Sequence, residues 1–308
     1  MKKPRVADAP LDHVAGVAIL AAAVVVAGAD VAWMPRLAAA WTPIGDAGAA
    51  AETWFTILVF APLLLVAAIT AGFESRSAFR LGEAPGPAAA AGLLVGLAGF
   101  GLVVAFAHVA GSIIPGEAPR AAWSMLLWGA AVVALQAWSE EVYFRGWLQP
   151  ALARRWGPGA AVVVTAAAFA GPHLLGGVRT PLTLLNLLLG GLIFGTFAVR
   201  AGGIAAGTAM HVAWNAAEQL VWGLDPNPGV GSFGALADRD LVGSAIQGGS
   251  AEGLNASIMM TSALLAILVP LVMVSWPKLR PGRELASKAD AFSSPHVPAL
   301  RRSGHAPS

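Results

Sequence analysis

Long apolar runs separated by short polar stretches dominate the hydrophobic pattern of this chain. A transmembrane helix needs about 20 mostly apolar residues, and eight runs approach or exceed that length. They cover residues 13–33, 53–72, 88–110, 121–148, 159–177, 181–199, 203–222 and 256–276. The pattern therefore predicts an all-α fold, a polytopic membrane helix bundle with about eight transmembrane helices.

The composition supports a membrane location. Of the 308 residues, 57% are hydrophobic and only 12% are charged, whereas about a quarter are charged in an ordinary globular domain. Because the chain has no cysteine, it can form no disulfide, thiolate nucleophile or Cys-ligated metal site. The net charge of +2 does not indicate a nucleic-acid partner, because the basic residues lie between apolar runs rather than on one soluble face.

Lys and Arg are unevenly distributed among the connections between runs. With a cytoplasmic N-terminus, 15 of the 19 basic residues fall in inner segments, as the positive-inside rule requires. We therefore expect an integral protein of a bacterial-type cytoplasmic membrane with both termini in the cytoplasm. Residues 1–276 would form the membrane domain, with 223–255 as an outer loop. Residues 277–308 would form a disordered basic tail that contacts lipid.

The first apolar run has two interpretations. Three basic residues precede it and it ends in the small residues Ala27-Gly28-Ala29, which also resembles a cleavable signal peptide. Residues 31–34 extend the run beyond a usual signal core, which favours a retained helix. Cleavage would leave seven spans in the same orientation.

Ionisable and amide side chains are rare within the runs. A charge at the centre of a span costs about 2.5 to 3.5 kcal/mol on insertion scales, so each one requires a reason. Asp30 and His108 lie near run ends, where we expect solvated interfacial side chains. The others are confined to the fourth, fifth and seventh runs: Glu140, Glu141, Arg145, His173, His211, Asn215 and Glu218. This concentration predicts one polar site inside the bundle.

Helical spacing indicates which side chains of the fourth run face the predicted polar site. Glu141 and Arg145 are four residues apart and can form an ion pair on one face. Glu140 lies about 100° away around the helix, so it is free to face another partner. The alternative is that both glutamates lie in headgroup water at a cytoplasmic span end.

The two histidines have different expected depths. His173 follows Pro172, which can bend the fifth helix. The turn between the fourth and fifth runs lies near Gly157, and both Glu140 and His173 are about 16 residues from it along the chain. Both side chains would therefore lie roughly 25 Å from that turn, at the same level. His211 lies only about 14 Å from the turn near Ala201, so the turns must lie at different heights if the three groups meet.

A carboxylate, two imidazoles and an amide suit water attack on a carbonyl, with a base for the proton and donors for the oxyanion. The sequence contains no H-E-x-x-H, no G-x-S-x-G and no cysteine. The segments Glu140-Glu141-x-x-x-Arg145, Phe169-x-x-x-His173 and His211-x-x-x-Asn215 resemble, in this order, the CPBP family of intramembrane proteases. That family includes type II CAAX prenyl endopeptidases and bacterial relatives linked to bacteriocin processing and self-immunity.

The resemblance covers about residues 120–222 and implies an endopeptidase acting on a membrane-associated peptide, either prenylated or bacteriocin-like. By the same resemblance, Glu140 would activate the water, assisted by His173. Members are often described as metalloproteases, so Glu140, His173 and His211 could also hold a zinc ion. A metal-free glutamate mechanism is favoured here, because Asn215 is a poor zinc ligand and a good oxyanion donor.

The remaining positions of the resemblance would support this chemistry. Glu141 and Arg145 would form an orienting ion pair, and His211 and Asn215 would stabilise the oxyanion. Glu218 lies outside the motifs, but it shares the face of His211 at i+7 and could orient that imidazole.

Two other classes of function are open. A non-catalytic immunity or scaffold membrane protein would keep the site without turnover. An ion-coupled transporter would also place carboxylates and histidines within the membrane. A transporter predicts discontinuous helices in both halves of the chain, and the polar groups here lie only in the second half, which argues against it.

Overall fold

The computed structural model describes residues 9–41, 48–73, 77–177, 180–227 and 230–280, and these residues are mainly helical. Each predicted apolar run corresponds to a helix or to a pair of consecutive helical segments. The α-helices are α1 (Ala9–Trp41), α2 (Ala49–Phe73), α3 (Pro85–Val109), α4 (Trp123–Glu141), α5 (Gln149–Trp156), α6 (Pro158–Ala170), α7 (Pro181–Ala201), α8 (Ala205–Ala216) and α9 (Ile258–Leu279).

The runs that carry polar residues are the ones whose helices change type. A π-helical segment, Val142–Leu148, joins α4 to α5, and a second one, Ala217–Trp222, extends α8. A 3-10 turn, Gly171–Leu174, follows α6 and contains Pro172, which cannot continue the α-helical hydrogen bonding. Insertions of this kind are frequent at functional sites.

In the described part of the chain, five helices are long and apolar enough to cross a membrane. They are His13–Ala38, Ala49–Gly72, Pro85–Val109, Pro181–Ala201 and Ile258–Leu279. These helices make the chain an integral membrane protein. The count of eight spans stays a prediction.

Basic residues from three connections gather at one end of the bundle. The Lys278 ammonium donates to the carbonyl of Arg200 over 2.8 Å, and the carbonyl of Arg80 accepts from the amide of Ile204 over 3.0 Å. This arrangement fits the predicted inner face, and the cytoplasmic placement of the termini stays a prediction. Residues 1–8 and most of the predicted tail, 281–308, lie outside the described residues, and α9 runs to Leu279 rather than ending at 276.

Glycines let α3 and α8 pack with their backbones close together. A side chain at Gly92 would collide with the backbone of Ala206, and one at Gly96 would collide with that of Met210. Phe100 and Trp214 continue this interface with an edge-to-face contact at 5.4 Å. The small-residue spacing therefore marks the helix pair that carries His211 into the bundle.

The predicted outer loop forms a folded cap. Strands β1 (Ile113–Pro115), β2 (Leu224–Asp225) and β3 (Arg239–Leu241) form a sheet in which β3 is central, antiparallel to β1 and parallel to β2. Leu224 and Leu254 are fully buried under it. This small sheet is an addition to the predicted all-α fold, because a glycine-rich polar sequence gave no strand signal.

Candidate active site

Four of the six predicted site residues lie together where α4 passes into its π segment and meets α8. Glu140 and Glu141 end α4, Arg145 lies in the π segment, and His211 lies in α8. All four side chains are buried or nearly so. The alternative in which both glutamates lie in headgroup water is therefore wrong.

The Glu141 carboxylate is the centre of the cluster. Its Oε1 atom accepts hydrogen bonds from Arg145 Nη1 at 3.0 Å and from His211 Nδ1 at 3.3 Å. The other terminal nitrogen of Arg145 donates to the Gly191 carbonyl at 3.2 Å. Because the side chains of Glu141 and Arg145 are both 0% exposed, this ion pair holds its geometry out of contact with water.

Aromatic rings close the cluster on one side. The Arg145 guanidinium lies 4.5 Å from the Phe169 ring centre and 5.3 Å from that of Phe194. The His211 imidazole stacks on Phe194, with ring centres 4.6 Å apart and planes at 19°. The rings stabilise the guanidinium through their π faces, and Phe194 fixes the plane of the imidazole.

Glu140 lies on the accessible side of His211. Its Oε2 atom is 3.6 Å from His211 Nε2, and its side chain is 11% exposed. Both nitrogens of the imidazole therefore face carboxylates, with Glu141 on one side and Glu140 on the other. Glu140 therefore shares His211 with Glu141, each at a different ring nitrogen, while Glu141 alone pairs with Arg145.

His173 lies at the margin of the cluster. Its Nδ1 atom is 3.0 Å from the Phe169 carbonyl, which can only accept, so this nitrogen carries the proton and Nε2 is left as the basic atom. The imidazole is partly exposed and interacts electrostatically with Glu140. The predicted pairing of His173 with Glu140 is thus one of proximity, without a hydrogen bond between their side chains.

Asn215 lies one helical turn beyond His211 and is partly exposed. Its carboxamide makes no hydrogen bond with any residue that the structure describes. The donor that the sequence assigns to the oxyanion is therefore free to bind another group.

The expectation that Glu218 orients His211 is wrong. Asn227, in the cap, donates its amide to the Glu218 carboxylate and accepts a hydrogen bond from the Leu254 amide at 2.7 Å. The π segment that begins at Ala217 changes the helical phase. Glu218 therefore faces the cap rather than the imidazole.

The expectation for Asp30 is also wrong. Asp30 is only 5% exposed, and neither of its carboxylate oxygens has a hydrogen-bond partner among the described residues. Because α1 continues to Trp41, Asp30 lies within the helix and not at its end. His108, in contrast, is exposed as predicted.

The described residues contain no group of three or more His, Asp or Glu side chains placed to hold a metal ion. Glu140 and His211 are close, but His173 does not complete a ligand set with them. The described residues as arranged do not fit the zinc site that the resemblance allowed as an alternative.

Sequence reasoning did not connect the small residues that make room for the ion pair with the site. A side chain at Gly207 would lie 3.0 Å from Glu141 Oε2, and one at Gly191 would lie 3.0 Å from Ala166. Phe194 was missed as well, since nothing distinguishes it from other apolar residues in α7. The spacing of Gly191 with Gly195 and of Gly203 with Gly207 was a detectable but weak signal.

The fold and the cluster define a class of protein: a helical membrane protein with a buried glutamate, arginine and histidine network. Residues 121–217, roughly a third of the chain, match the family model described as Type II CAAX prenyl endopeptidase Rce1-like. This segment, which contains the whole cluster, is therefore similar to the Rce1-like family of CAAX proteases, and the predicted resemblance is confirmed. No curated protein and no solved structure matches the chain.

Proposed function

We propose that this chain is an intramembrane endopeptidase that hydrolyses a peptide bond of a membrane-associated peptide, with Glu140 activating the water. The similarity of residues 121–217 to a protease family supports a hydrolase. The observation that carries the proposed mechanism is the position of His211 between the Glu140 and Glu141 carboxylates, at 3.6 and 3.3 Å. A network that serves packing alone would not need a second carboxylate at its accessible edge.

The charges around Glu140 explain why this carboxylate can act as a base. Arg145 and Glu141 neutralise each other, and the Glu141 carboxylate fixes His211 through Nδ1. A protonated His211 would then present its Nε2–H towards Glu140 and towards any oxygen that approaches it. The carboxylate of Glu140 remains an acceptor and can take a proton from a water molecule placed between it and the scissile carbonyl.

Two donors would stabilise the tetrahedral intermediate. As the water oxygen bonds to the carbonyl carbon, negative charge develops on the carbonyl oxygen, where His211 Nε2–H and the Asn215 carboxamide can donate to it. The proton that Glu140 takes from the water must then reach the leaving amine. Nε2 of His173 is the basic atom available to transfer it, because Nδ1 is bound to a carbonyl.

The replacement Glu140→Gln tests the proposal because it keeps size and removes the base. We expect cleavage to fall by about 10² to 10⁴-fold, the usual contribution of a general base. Membranes from cells with wild-type and variant protein would be compared by peptide mass spectrometry, so the substrate need not be known in advance. Glu52→Gln, a glutamate of α2 outside the cluster, is the matched control and should retain cleavage.

Each alternative predicts a distinct outcome. If Glu140→Gln leaves every cleavage product unchanged while a cellular phenotype persists, the protein is a scaffold or immunity protein and the protease proposal fails. If products vanish equally in Glu52→Gln, the effect is general destabilisation. Cleavage by purified protein that survives a strong chelator would support the metal-free mechanism, and cleavage restored only by added zinc would overturn it.

A further inference from the structure

A groove opens at the end of the bundle opposite the basic connections, between the end of α3 and the cap. Its volume is about 500 Å³, and its walls include Gly101, Ala105, Ile114 and Trp222. The groove is separate from the candidate active site, since Trp222 lies eleven residues beyond His211 along the same helical segment. That distance is about 15 Å along a helix.

The walls of the groove are continuous with a lipid-facing surface. Gly101 and Ala105 are exposed on α3, as are Leu94 and Leu97 two turns earlier, at 66% and 46%. A side chain at Gly101 would meet no atom within 4 Å. The small residues therefore leave a channel along the outside of a membrane span, with room for a hydrocarbon chain.

Two basic side chains lie at the mouth of this channel. His108 is exposed, and its imidazole makes no hydrogen bond with any described residue. The Arg239 guanidinium is half-buried, and among described residues its single hydrogen bond is a long one, 3.5 Å, to the carbonyl of Asp238. It forms no ion pair within the described part of the chain, so its charge is available to a ligand.

The acidic side chains next to Arg239 in the sequence lie on the other side of the strand. Side chains alternate along a strand, so Arg239 shares the bundle face of β3 with the buried Leu241, whereas Asp240 lies on the other face. The Asp238 carboxylate accepts a hydrogen bond from the Ala118 amide at 2.6 Å. The carboxylates of Asp238 and Asp240 both lie beside Gly116, and the alternation of side chains places them on the side of the strand opposite Arg239.

We propose that this groove binds one anionic phospholipid. The phosphate contacts Arg239 beside His108, at the level where α3 ends, and an acyl chain follows Ala105 and Gly101 about 10 Å into the span. Trp222 lines the same site, as indoles do at the membrane interface. Charge at the mouth and an apolar wall open to lipid are the two features that an amphiphile with an anionic head requires.

Native mass spectrometry of the purified full chain tests this site. The protein would be titrated with phosphatidylglycerol and, separately, with phosphatidylcholine of identical acyl chains. We expect one tight phosphatidylglycerol adduct, and Arg239→Gln should weaken it by roughly fivefold, the value of one basic residue near an anionic lipid. Gly101→Leu, whose Cβ meets no atom within 4 Å and whose side chain would occupy the groove, should weaken binding of both lipids.

The matched control is Arg120→Gln, because Arg120 is exposed in the same cap and its Nε donates to the Leu236 carbonyl. This variant should bind phosphatidylglycerol like the wild type. Unchanged binding in Arg239→Gln, or equal losses in Arg239→Gln and Arg120→Gln, would overturn the proposal. Competition by millimolar inorganic phosphate together with full binding in Gly101→Leu would show an anion site without a lipid, which also overturns it.

Discussion

Two buried carboxylates in this bundle lie in opposite surroundings. Glu141 accepts hydrogen bonds from Arg145 and His211 within the segment that matches the protease family. Asp30, on α1 outside that segment, is also buried but has no hydrogen-bond partner for its carboxylate among the described residues. Burial alone therefore does not identify a functional carboxylate in a membrane protein, whereas the hydrogen-bond partners of the carboxylate do identify it.

The difference in hydrogen-bond partners assigns Glu141 to a functional site and Asp30 to a packing surface. The Glu141 network uses residues of α4, its π segment, α7 and α8, and its breakage would leave a charge in a low-dielectric interior. Asp30 shares a face of α1 with Ala23 and Ala27, small residues that pack against the apolar cluster around Tyr143. We expect the two carboxylates to respond to substitution with opposite signs.

The largest effect should come from Arg145→Leu, which removes the cationic partner of Glu141 and leaves it only the hydrogen bond from His211 among the described residues. Removing one partner of a buried ion pair costs about 3 to 5 kcal/mol, because the other charge stays behind without compensation. We expect a loss of that size in equilibrium unfolding in mixed detergent micelles, together with loss of cleavage. The ion pair would then be essential for both fold and site.

A double replacement checks the cause of that loss. Adding Glu141→Gln to Arg145→Leu removes the stranded charge and should restore part of the free energy of unfolding, although not the activity. Arg155→Leu is the control, since Arg155 is half-buried and its Nη1 donates to a carbonyl at 2.8 Å. A cost for Arg145→Leu no larger than for Arg155→Leu would contradict the network interpretation.

A smaller effect should follow from crowding the carboxylate while its partners stay. In Gly207→Ala the new methyl group would lie 3.0 Å from Glu141 Oε2. Because Glu141 is fixed by Arg145 and His211, it cannot move freely, and overpacking of this kind costs about 1 to 3 kcal/mol. We expect a lower free energy of unfolding and reduced cleavage.

Gly190→Ala is the matched control for the crowding test. A side chain at Gly190 would meet only Phe194, at the ordinary distance of 3.9 Å. Alanine is favoured over glycine in a helix by up to about 1 kcal/mol, so this variant should be as stable as the wild type or more so. Equal stability of the two variants would show that Glu141 relaxes and that its position is not fixed.

The sequence was sufficient to predict the elements that periodicity and charge spacing determine. The apolar runs gave the helices, and the spacing of Glu141 and Arg145 gave the ion pair that the structure contains. The order of the three motifs predicted the family resemblance that residues 121–217 show. These features are local, or they depend on residues whose presence in a membrane needs a reason.

Features that depend on relative height and helical phase were not predictable. Glu218 was placed with His211 by a regular helical period, but the π segment at Ala217–Trp222 directs it to Asn227. Asp30 was placed at a span end because the apolar run weakens there, whereas α1 continues through Pro35. His211 can contact Glu140 only if the turns that precede their helices lie at different depths in the membrane. The sequence of a single helix does not contain that information.

The smallest effect should come from Asp30→Asn, which is nearly isosteric and removes the charge that a carboxylate can carry. A buried polar group without a partner is unfavourable, and its ionised form is more so. We therefore expect the free energy of unfolding to stay the same or to rise by about 1 kcal/mol, with cleavage unchanged. A matched Glu141→Gln variant should lose both stability and cleavage, because it weakens the acceptor for Arg145 and His211. If Asp30→Asn instead impairs cleavage as Glu141→Gln does, Asp30 serves the reaction, and the contrast between a partnered and an isolated carboxylate no longer distinguishes site from scaffold.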